Sequence, residues 1–156
     1  MWISARLGAA KMIVAVMALC AAGCGSSNVT YEVGLIQVSF PNGVRINAEI
    51  MRRQMELLRG LMFRESLPAD RGMLFIHPSE NNFHYWMYQT KIPLDIIWMA
   101  HDHRIVEMSL DTPPCRSTSA KECPSYGGNF KAQYVLELNA GIARKNGLKT
   151  GDMLDF

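Results

Sequence analysis

The sequence predicts a mainly β single domain in which one α-helix covers a compact antiparallel barrel or a sandwich-like fold. Seven or eight short segments rich in β-forming residues alternate with turn-forming residues over about 120 residues. One segment carries apolar residues at helical spacing instead. Because short strands joined by short turns pair antiparallel, we expect a closed or two-layer β structure under that helix.

The N-terminal segment, residues 1–23, is typical of a bacterial lipoprotein signal. Arg6 and Lys11 provide positive charge around a short apolar stretch, and Ala21, Ala22 and Gly23 are the small residues that a signal peptidase requires. The apolar core, residues 12–19, is too short to cross a bilayer as a helix, which needs about 20 residues. The segment therefore reads as a processing signal.

Cys24 follows these small residues, at the position where such signals place the acylated cysteine. We predict lipidation at Cys24; the alternative is an ordinary secretory signal cleaved nearby. Residues 24–30 would form a lipidated tether, and residues 31–156 a single globular domain. Several acyl chains anchor a protein stably, and Gly25 after the cysteine favours the outer membrane, facing the periplasm.

The first predicted elements of the domain are a β-hairpin and a helix. Residues 31–40 and 44–48 read as strands around a Pro-Asn-Gly turn. Asn47 is predicted to cap a helix over residues 48–59. Its apolar stripe is expected to pack on the sheet and comprises Met51, Met55, Leu58 and Met62.

The remaining elements are strands, one irregular loop and a short helix. Residues 111–130 are expected to be irregular, and residues 140–146 to form a helix that ends at Gly147. The remaining strands are expected at residues 72–77, 83–88, 94–99, 104–110, 133–138 and 153–156.

Cys115 and Cys123 lie in the irregular loop. In an extracytoplasmic compartment such a nearby pair is more often a disulfide than a metal site, so we predict a disulfide; two free thiols are the alternative. On the chain-entropy account, closing this nine-residue ring stabilises the fold by about 2.6 kcal/mol.

Charge and composition exclude several partners. Removal of Arg6 and Lys11 with the signal leaves fourteen basic residues against fourteen acidic residues, and no cluster of basic residues suggests nucleic acid. No cofactor motif occurs. His101 and His103 flank Asp102, but we expect a surface turn there and predict no metal site.

Several phrases of the sequence are more specific than generic strand chemistry. They are Arg59-Gly60-Leu61-Met62-Phe63-Arg64, Arg71-Gly72-Met73-Leu74-Phe75, Trp86-Met87, Ile92-Pro93-Leu94-Asp95-Ile96-Ile97 and Tyr134-Val135-Leu136-Glu137-Leu138-Asn139-Ala140-Gly141. In this order they resemble the uncharacterised prokaryotic family known as domain of unknown function 192, over roughly residues 44–156. The resemblance includes Cys115, and Cys123-Pro124 followed by Tyr126, and implies a compact β fold with a covering helix in an exported or anchored protein. It implies no reaction.

The sequence departs from this family pattern at one place. Where the family usually reads Trp-Met-Lys-Asn-Thr, this chain has Trp86-Met87-Tyr88-Gln89-Thr90. A function that depends on the family's lysine is therefore not expected here.

Two carboxylates stand inside strands that otherwise look buried, Asp95 and Glu137. They could converge with Arg59, Arg64 and Arg71 on a small ligand, or form an internal salt-bridge network, which we favour. Glu137 could also face water, because residues 136 and 138 lie on the other side of its strand. Trp86 could offer an aromatic platform, although packing is favoured. The candidate ligand-binding residues are Arg59, Arg64, Trp86, Asp95, Tyr126, Glu137 and Asn139.

These observations lead to two hypotheses about function. The first is a non-catalytic, lipid-anchored envelope domain that binds an unknown envelope ligand or protein through residues 111–130 and the adjacent strand ends. The second is a hydrolase or lyase of envelope material, with Asp95 or Glu137 as general base. A structural role in a larger envelope complex would require a large exposed apolar patch.

Overall fold

A six-stranded sheet organises residues 34–156, which are the residues that the computed structural model describes. The predicted signal, Cys24 and the tether lie outside this range. The strands are β1 (Leu35–Ser39), β2 (Arg45–Met51), β3 (Arg71–Asn81), β4 (His84–Trp86), β5 (Leu94–Met99), β6 (Ile105–Thr112), β7 (Ser125–Gly127) and β8 (Ala132–Asn139). The main sheet has the order β1-β2-β3-β8-β5-β6, and β4 pairs with β7 in a second, two-stranded sheet.

The predicted N-terminal hairpin is confirmed, but the expectation of purely antiparallel pairing is wrong. β1 and β2 pair antiparallel, with Leu35 opposite Glu49 and Ser39 opposite Arg45. β2 and β3, in contrast, pair parallel. The long connection over residues 52–70 makes this possible, because parallel neighbours need a crossover and cannot be joined by a tight turn.

The helix predicted over residues 48–59 is wrong in its first part. Residues 48–51 belong to β2, where Met51 lies opposite Phe75, and Asn47 donates its backbone N–H to Asp70 O within that strand and caps no helix. The helix α1 spans only Gln54–Arg59. Its apolar stripe does not pack on the sheet as expected, because Met55 is 74% exposed and Leu58 is 54% exposed.

The main sheet is buried on both faces, which explains why all six residues of β5 are buried and all but Asp95 are apolar. One face joins Leu74, Ile97 and Leu136 to the C-terminal segment. The other face carries Phe75, Trp98 and their neighbours, and packs beneath the α1 region and β4. Successive residues of a strand point to opposite faces, so the position of a residue along its strand determines which of the two core clusters its side chain joins.

The sheet is not closed into a barrel, so the barrel alternative is wrong and a sandwich-like arrangement stands. The predicted last strand, residues 153–156, forms only single bridges, from Met153 to Arg104 and from Asp155 to Ser39. The C-terminal segment thus contacts both edge strands without completing a ladder between them. The preceding helix α2, Ile142–Lys145, is shorter than predicted.

The loop over residues 111–130 is less irregular than expected. It contains the end of β6, a 3-10 helix over Ala120–Glu122, and β7. Within it, Cys115 and Cys123 form the predicted disulfide. Since β7 pairs with β4, this loop carries one strand of the small sheet.

Candidate functional site

A cleft lies between α1 and β4, on the face of the main sheet that carries Phe75 and Trp98. Its volume is about 410 Å3, within the range of small-molecule sites. Eight side chains line it: Gln54, Leu57, Leu58, His77, Phe83, His84, Tyr85 and Trp86. We call this the α1–β4 cleft.

The sequence around α1 explains why the helix is short and why it leaves a cleft. Glu56 accepts hydrogen bonds from the backbone N–H groups of Arg52 at 3.1 Å and Arg53 at 3.0 Å, which starts the helix and holds the pKa of Glu56 below its usual value. The helix stops at Gly60, whose φ of 44° is left-handed. A Cβ atom there would lie 2.9 Å from Phe75 Cζ, so only glycine lets the chain cross this ring.

Glu137 lies beneath this crossing. An added Cβ at Gly60 would be 3.8 Å from Glu137 Oε2. A small cavity of about 30 Å3 adjoins the α1–β4 cleft there; both are lined by Leu57, Leu58, Tyr85 and Trp86, and the small one also by Glu137. This space is large enough to hold a water molecule or a hydroxyl group.

The carboxyl group of Glu137 is buried without compensation. The residue is 5% exposed, and within residues 34–156 its Oε2 is the one buried side-chain oxygen or nitrogen that has no hydrogen-bond partner. Burial raises the pKa of Glu137 to about 8, so that the group is protonated at neutral pH. A native protein rarely leaves such an atom unsatisfied without a reason.

Tyr85 and His77 complete the floor of the cleft. A hydrogen bond of 3.0 Å joins Tyr85 Oη to His77 Nε2, and the His77 ring stacks on Phe83 at 3.5 Å. Burial lowers the pKa of His77 to about 4, which keeps the imidazole neutral. Burial, and then the charge of Glu137, raise the pKa of Tyr85, so its hydroxyl stays protonated. The floor is therefore uncharged near neutral pH.

The structure places Asp95 on the other face of the sheet, away from Glu137. In the β5–β8 register Glu137 lies opposite Ile96, and neighbouring residues of a strand point to opposite faces. Asp95 is fully buried, and its carboxylate accepts the backbone N–H groups of Asp111 at 2.9 Å and Ala143 at 2.8 Å. The alternative in which the two carboxylates converge in one pocket is therefore wrong.

Within residues 34–156 no arginine forms an ion pair with Asp95 or Glu137, so the favoured salt-bridge network of these carboxylates is also wrong. Arg64 makes two hydrogen bonds of 2.6 Å to Glu49, which lower the pKa of that carboxyl and raise the pKa of the guanidinium. Arg71, at the start of β3, adds a favourable charge to Glu49. Arg59 is exposed and lines the small cavity next to Glu137.

The other candidate residues have separate positions. Trp86 is 43% exposed and lines the α1–β4 cleft, whereas its neighbours Tyr85 and Met87 pack in the core. Tyr126 lies in β7 opposite Tyr85 and packs against the same core cluster, outside the lining of the cleft. Asn139 donates to the carbonyl oxygens of Leu67 and Pro68 and fixes the loop before β3, outside the cleft.

The histidines do not form a metal site within the described part of the chain. No group of three potential ligands among His, Cys, Asp and Glu comes together in residues 34–156. His101 contacts Glu80, and His103 stacks on Phe156 at 3.9 Å. None of the helices in the same residues is long and apolar enough to cross a bilayer.

Sequence reasoning missed His77, Tyr85, Leu57 and Leu58 as parts of the cleft. The alternation of residues 83–88 gives the separate faces of Tyr85 and Trp86. Tyr85 and Glu137 are brought together by the tertiary fold, and no local sequence pattern predicts that they meet.

The comparisons with known proteins agree with this architecture. Residues 37–156 match the family described as DUF192, Uncharacterized ACR. The chain belongs to the DUF192 family. No curated protein matches.

Two solved structures are similar to this DUF192 domain. One, described as a protein of unknown function from Novosphingobium aromaticivorans DSM 12444, has 27% identity and a TM-score of 0.72, over 82% of this chain and 89% of that chain. The other, described as "a putative transcription regulator" from Sinorhizobium meliloti 1021, has 28% identity and a TM-score of 0.68, over 80% of this chain and 96% of that chain.

The departure from the DUF192 motif at Tyr88 and Gln89 has a structural consequence. Gln89 has a φ of 55°, and its carbonyl accepts the backbone N–H of Phe63 at 2.8 Å. This left-handed conformation suits the asparagine that the family usually has better than it suits glutamine. Tyr88 donates its hydroxyl to Thr118 O in the disulfide loop, so this side chain contacts the loop.

Proposed function

We propose that this DUF192 member is a lipid-anchored envelope protein that binds a small ligand in the α1–β4 cleft. The observation that carries the proposal is the buried, unpartnered carboxyl of Glu137 beside a cleft of about 410 Å3. A ligand group that reaches Glu137 would supply the missing hydrogen bond. Because folding has already removed water from this carboxyl group, ligand binding would not have to pay that desolvation cost again.

The lining of the cleft favours an uncharged ligand with one apolar face. Leu57, Leu58 and Trp86 offer aliphatic and aromatic contacts, while the protonated Glu137 can donate a hydrogen bond. Neutral His77 adds no charge. A sugar ring has this combination of an apolar face and hydroxyl acceptors, so saccharides of the cell envelope are the first class to test.

The location is supported by the N-terminal signal and by the disulfide. Disulfides persist in oxidising compartments such as the periplasm, and the Cys115–Cys123 bridge closes the loop whose strand β7 holds β4. Incorporation of labelled palmitate, and its loss in a Cys24→Ser variant, test the anchor. Unlabelled protein from growing cells would refute it.

The second candidate function is a carboxylate-dependent hydrolase or lyase. The pKa of about 8 for Glu137 favours it, because a carboxylic acid that keeps its proton near neutral pH can act as a general acid. The general-base role first considered for Glu137 fits a protonated group less well. Asp95 is engaged by two backbone N–H groups and lies on the other face.

Titration with chitotetraose and with purified muropeptides, followed by isothermal titration calorimetry, tests the first function. We expect Glu137→Leu to weaken binding about tenfold by removing the hydrogen bond, whereas Glu137→Gln keeps an N–H donor and most of the affinity. Equal affinity in wild type, Glu137→Leu and Trp86→Ala would refute binding in this cleft. Release of new reducing ends that stops in Glu137→Gln would establish the enzyme instead.

A further inference from the structure

A second feature of the α1 region is a group of exposed apolar and cationic side chains. Met55, Leu58 and Arg59 share one side of α1 at spacings of three and four residues, and Arg52 precedes them by one turn. Trp86 adjoins Leu58, since both line the same cleft. We call these five residues, Arg52, Met55, Leu58, Arg59 and Trp86, the docking surface.

Four of these side chains make few contacts within the described fold. Met55 and Leu58 are mostly exposed although they are apolar. Within residues 34–156, neither Arg52 nor Arg59 forms an ion pair with a carboxylate. The one acidic residue of α1, Glu56, lies 3.8 Å from the guanidinium of Arg53, which is outside the docking surface, so Arg52 and Arg59 leave the surface positively charged.

The chain enters the described fold beside this surface. Gly34 O accepts the backbone N–H of Ile50 at 2.8 Å, and Ile50 is two residues from Arg52. The ten residues from Cys24 to Gly34 can extend over at most about 35 Å. A lipid at Cys24 would therefore hold this end of β1 and β2 close to the bilayer, whereas Arg45, at the other end of β2, lies about 20 Å further along the strand.

We propose that the docking surface rests on the anionic bilayer to which the protein is anchored. This inference depends on the proposed lipidation of Cys24. Arginines attract anionic headgroups, and aromatic and aliphatic side chains enter the boundary between headgroups and acyl chains. Phe83 and His84, on another wall of the α1–β4 cleft, are outside the docking surface.

The test uses the full lipidated chain in vesicles whose acyl chains carry bromine, which quenches tryptophan at contact. Trp86 reports docking, whereas Trp98 is fully buried, and Trp86→Phe gives the background. In vesicles of phosphatidylglycerol and phosphatidylethanolamine we expect strong quenching of Trp86, lost at high salt and in phosphatidylcholine. Each arginine near an anionic surface contributes about fivefold, so Arg52→Gln with Arg59→Gln should lower the docked-to-undocked ratio about 25-fold.

A matched control removes two other positive charges, Arg45→Gln and Lys149→Gln, and should quench like wild type. Protein that stays on the vesicles while Trp86 is quenched equally weakly in all lipids would overturn docking and leave the anchor intact. Protein that leaves the vesicles altogether would refute the anchor. Shielding of Trp86 that rises with protein density and ignores lipid charge would show a second copy on this surface, and would also overturn the proposal.

Discussion

Glu137→Gln should remove a pH dependence from the stability of this domain. The carboxyl of Glu137 is buried and unpartnered, and this burial raises its pKa from 4.5 to about 8. Between these values the folded protein keeps a proton that the unfolded chain has lost. The contribution of Glu137 to folding stability is therefore fully present below pH 4.5 and is lost as the pH rises to 8.

The pKa of His77 shifts in the opposite direction and limits the pH range in which the effect of Glu137 can be measured. Burial lowers the pKa of His77 from 6.5 to about 4, so its contribution is complete above pH 6.5 and is lost as the pH falls to 4. Between pH 4.5 and 6.5 the slopes of His77 and Glu137 cancel. Above pH 6.5 only the Glu137 slope remains, and from there to pH 8 the free energy of unfolding should fall by about 2 kcal/mol.

Urea denaturation at half-unit steps from pH 6 to 9 measures this fall. Wild type should lose stability up to about pH 8 and then level off, whereas Glu137→Gln should be flat across the same range. Glu65→Gln, at an exposed carboxylate, is the matched control and should follow wild type. A flat wild-type curve, or the same fall in Glu137→Gln, would refute the reasoning that the buried carboxyl is protonated.

Three further predictions concern the fold around the cleft. Asp95→Asn leaves one of two buried backbone N–H groups without an acceptor and should cost about 2 to 4 kcal/mol of unfolding free energy in urea; a loss below 0.5 kcal/mol would contradict this role. Gln89→Asn relieves a left-handed residue and should raise the melting temperature through a gain of up to about 1 kcal/mol; a decrease would argue against strain. Replacing both Cys115 and Cys123 by serine should cost about 2.6 kcal/mol in denaturant, and an unchanged midpoint would show that the bridge does not stabilise the fold.

The central strands could be predicted from sequence because their signals are local. β5 is six consecutive buried residues, and the prediction over residues 94–99 matches its bounds. Such a run has no alternation because both faces are covered, and its length excludes a long helix. β8 was predicted within one residue at each end for the same reason.

The α1 region could not be predicted because two periods overlap there. Ile46, Ala48 and Ile50 alternate as in a strand, while Met51, Met55 and Leu58 recur as in a helix. The pairing of β2 with β3 decides in favour of the strand, and this pairing brings together residues 24 positions apart. Local propensity contains no information about such a partner.

The two buried carboxylates show why the candidate site was only half predictable. Sequence alternation says which neighbours share a face within one strand, but the register that sets Glu137 opposite Ile96, and so puts Asp95 on the other face, is a property of the sheet. Both residues are buried, so burial does not distinguish the structural carboxylate from the candidate site. Hydrogen bonding distinguishes them: the carboxylate of Asp95 accepts two backbone N–H groups, whereas Glu137 Oε2 has no partner.

The same substitution chemistry should therefore have opposite effects at the two sites. An amide at position 95 turns an N–H group toward a backbone donor, so the fold loses stability. An amide at position 137 removes a group that must hold its proton to remain buried. Between pH 6.5 and pH 8 the free energy of unfolding of Glu137→Gln should therefore rise by about 2 kcal/mol relative to that of wild type. An unpartnered buried acid lowers the stability of the fold as the pH rises toward 8, which is the physical reason for looking for its ligand in the α1–β4 cleft.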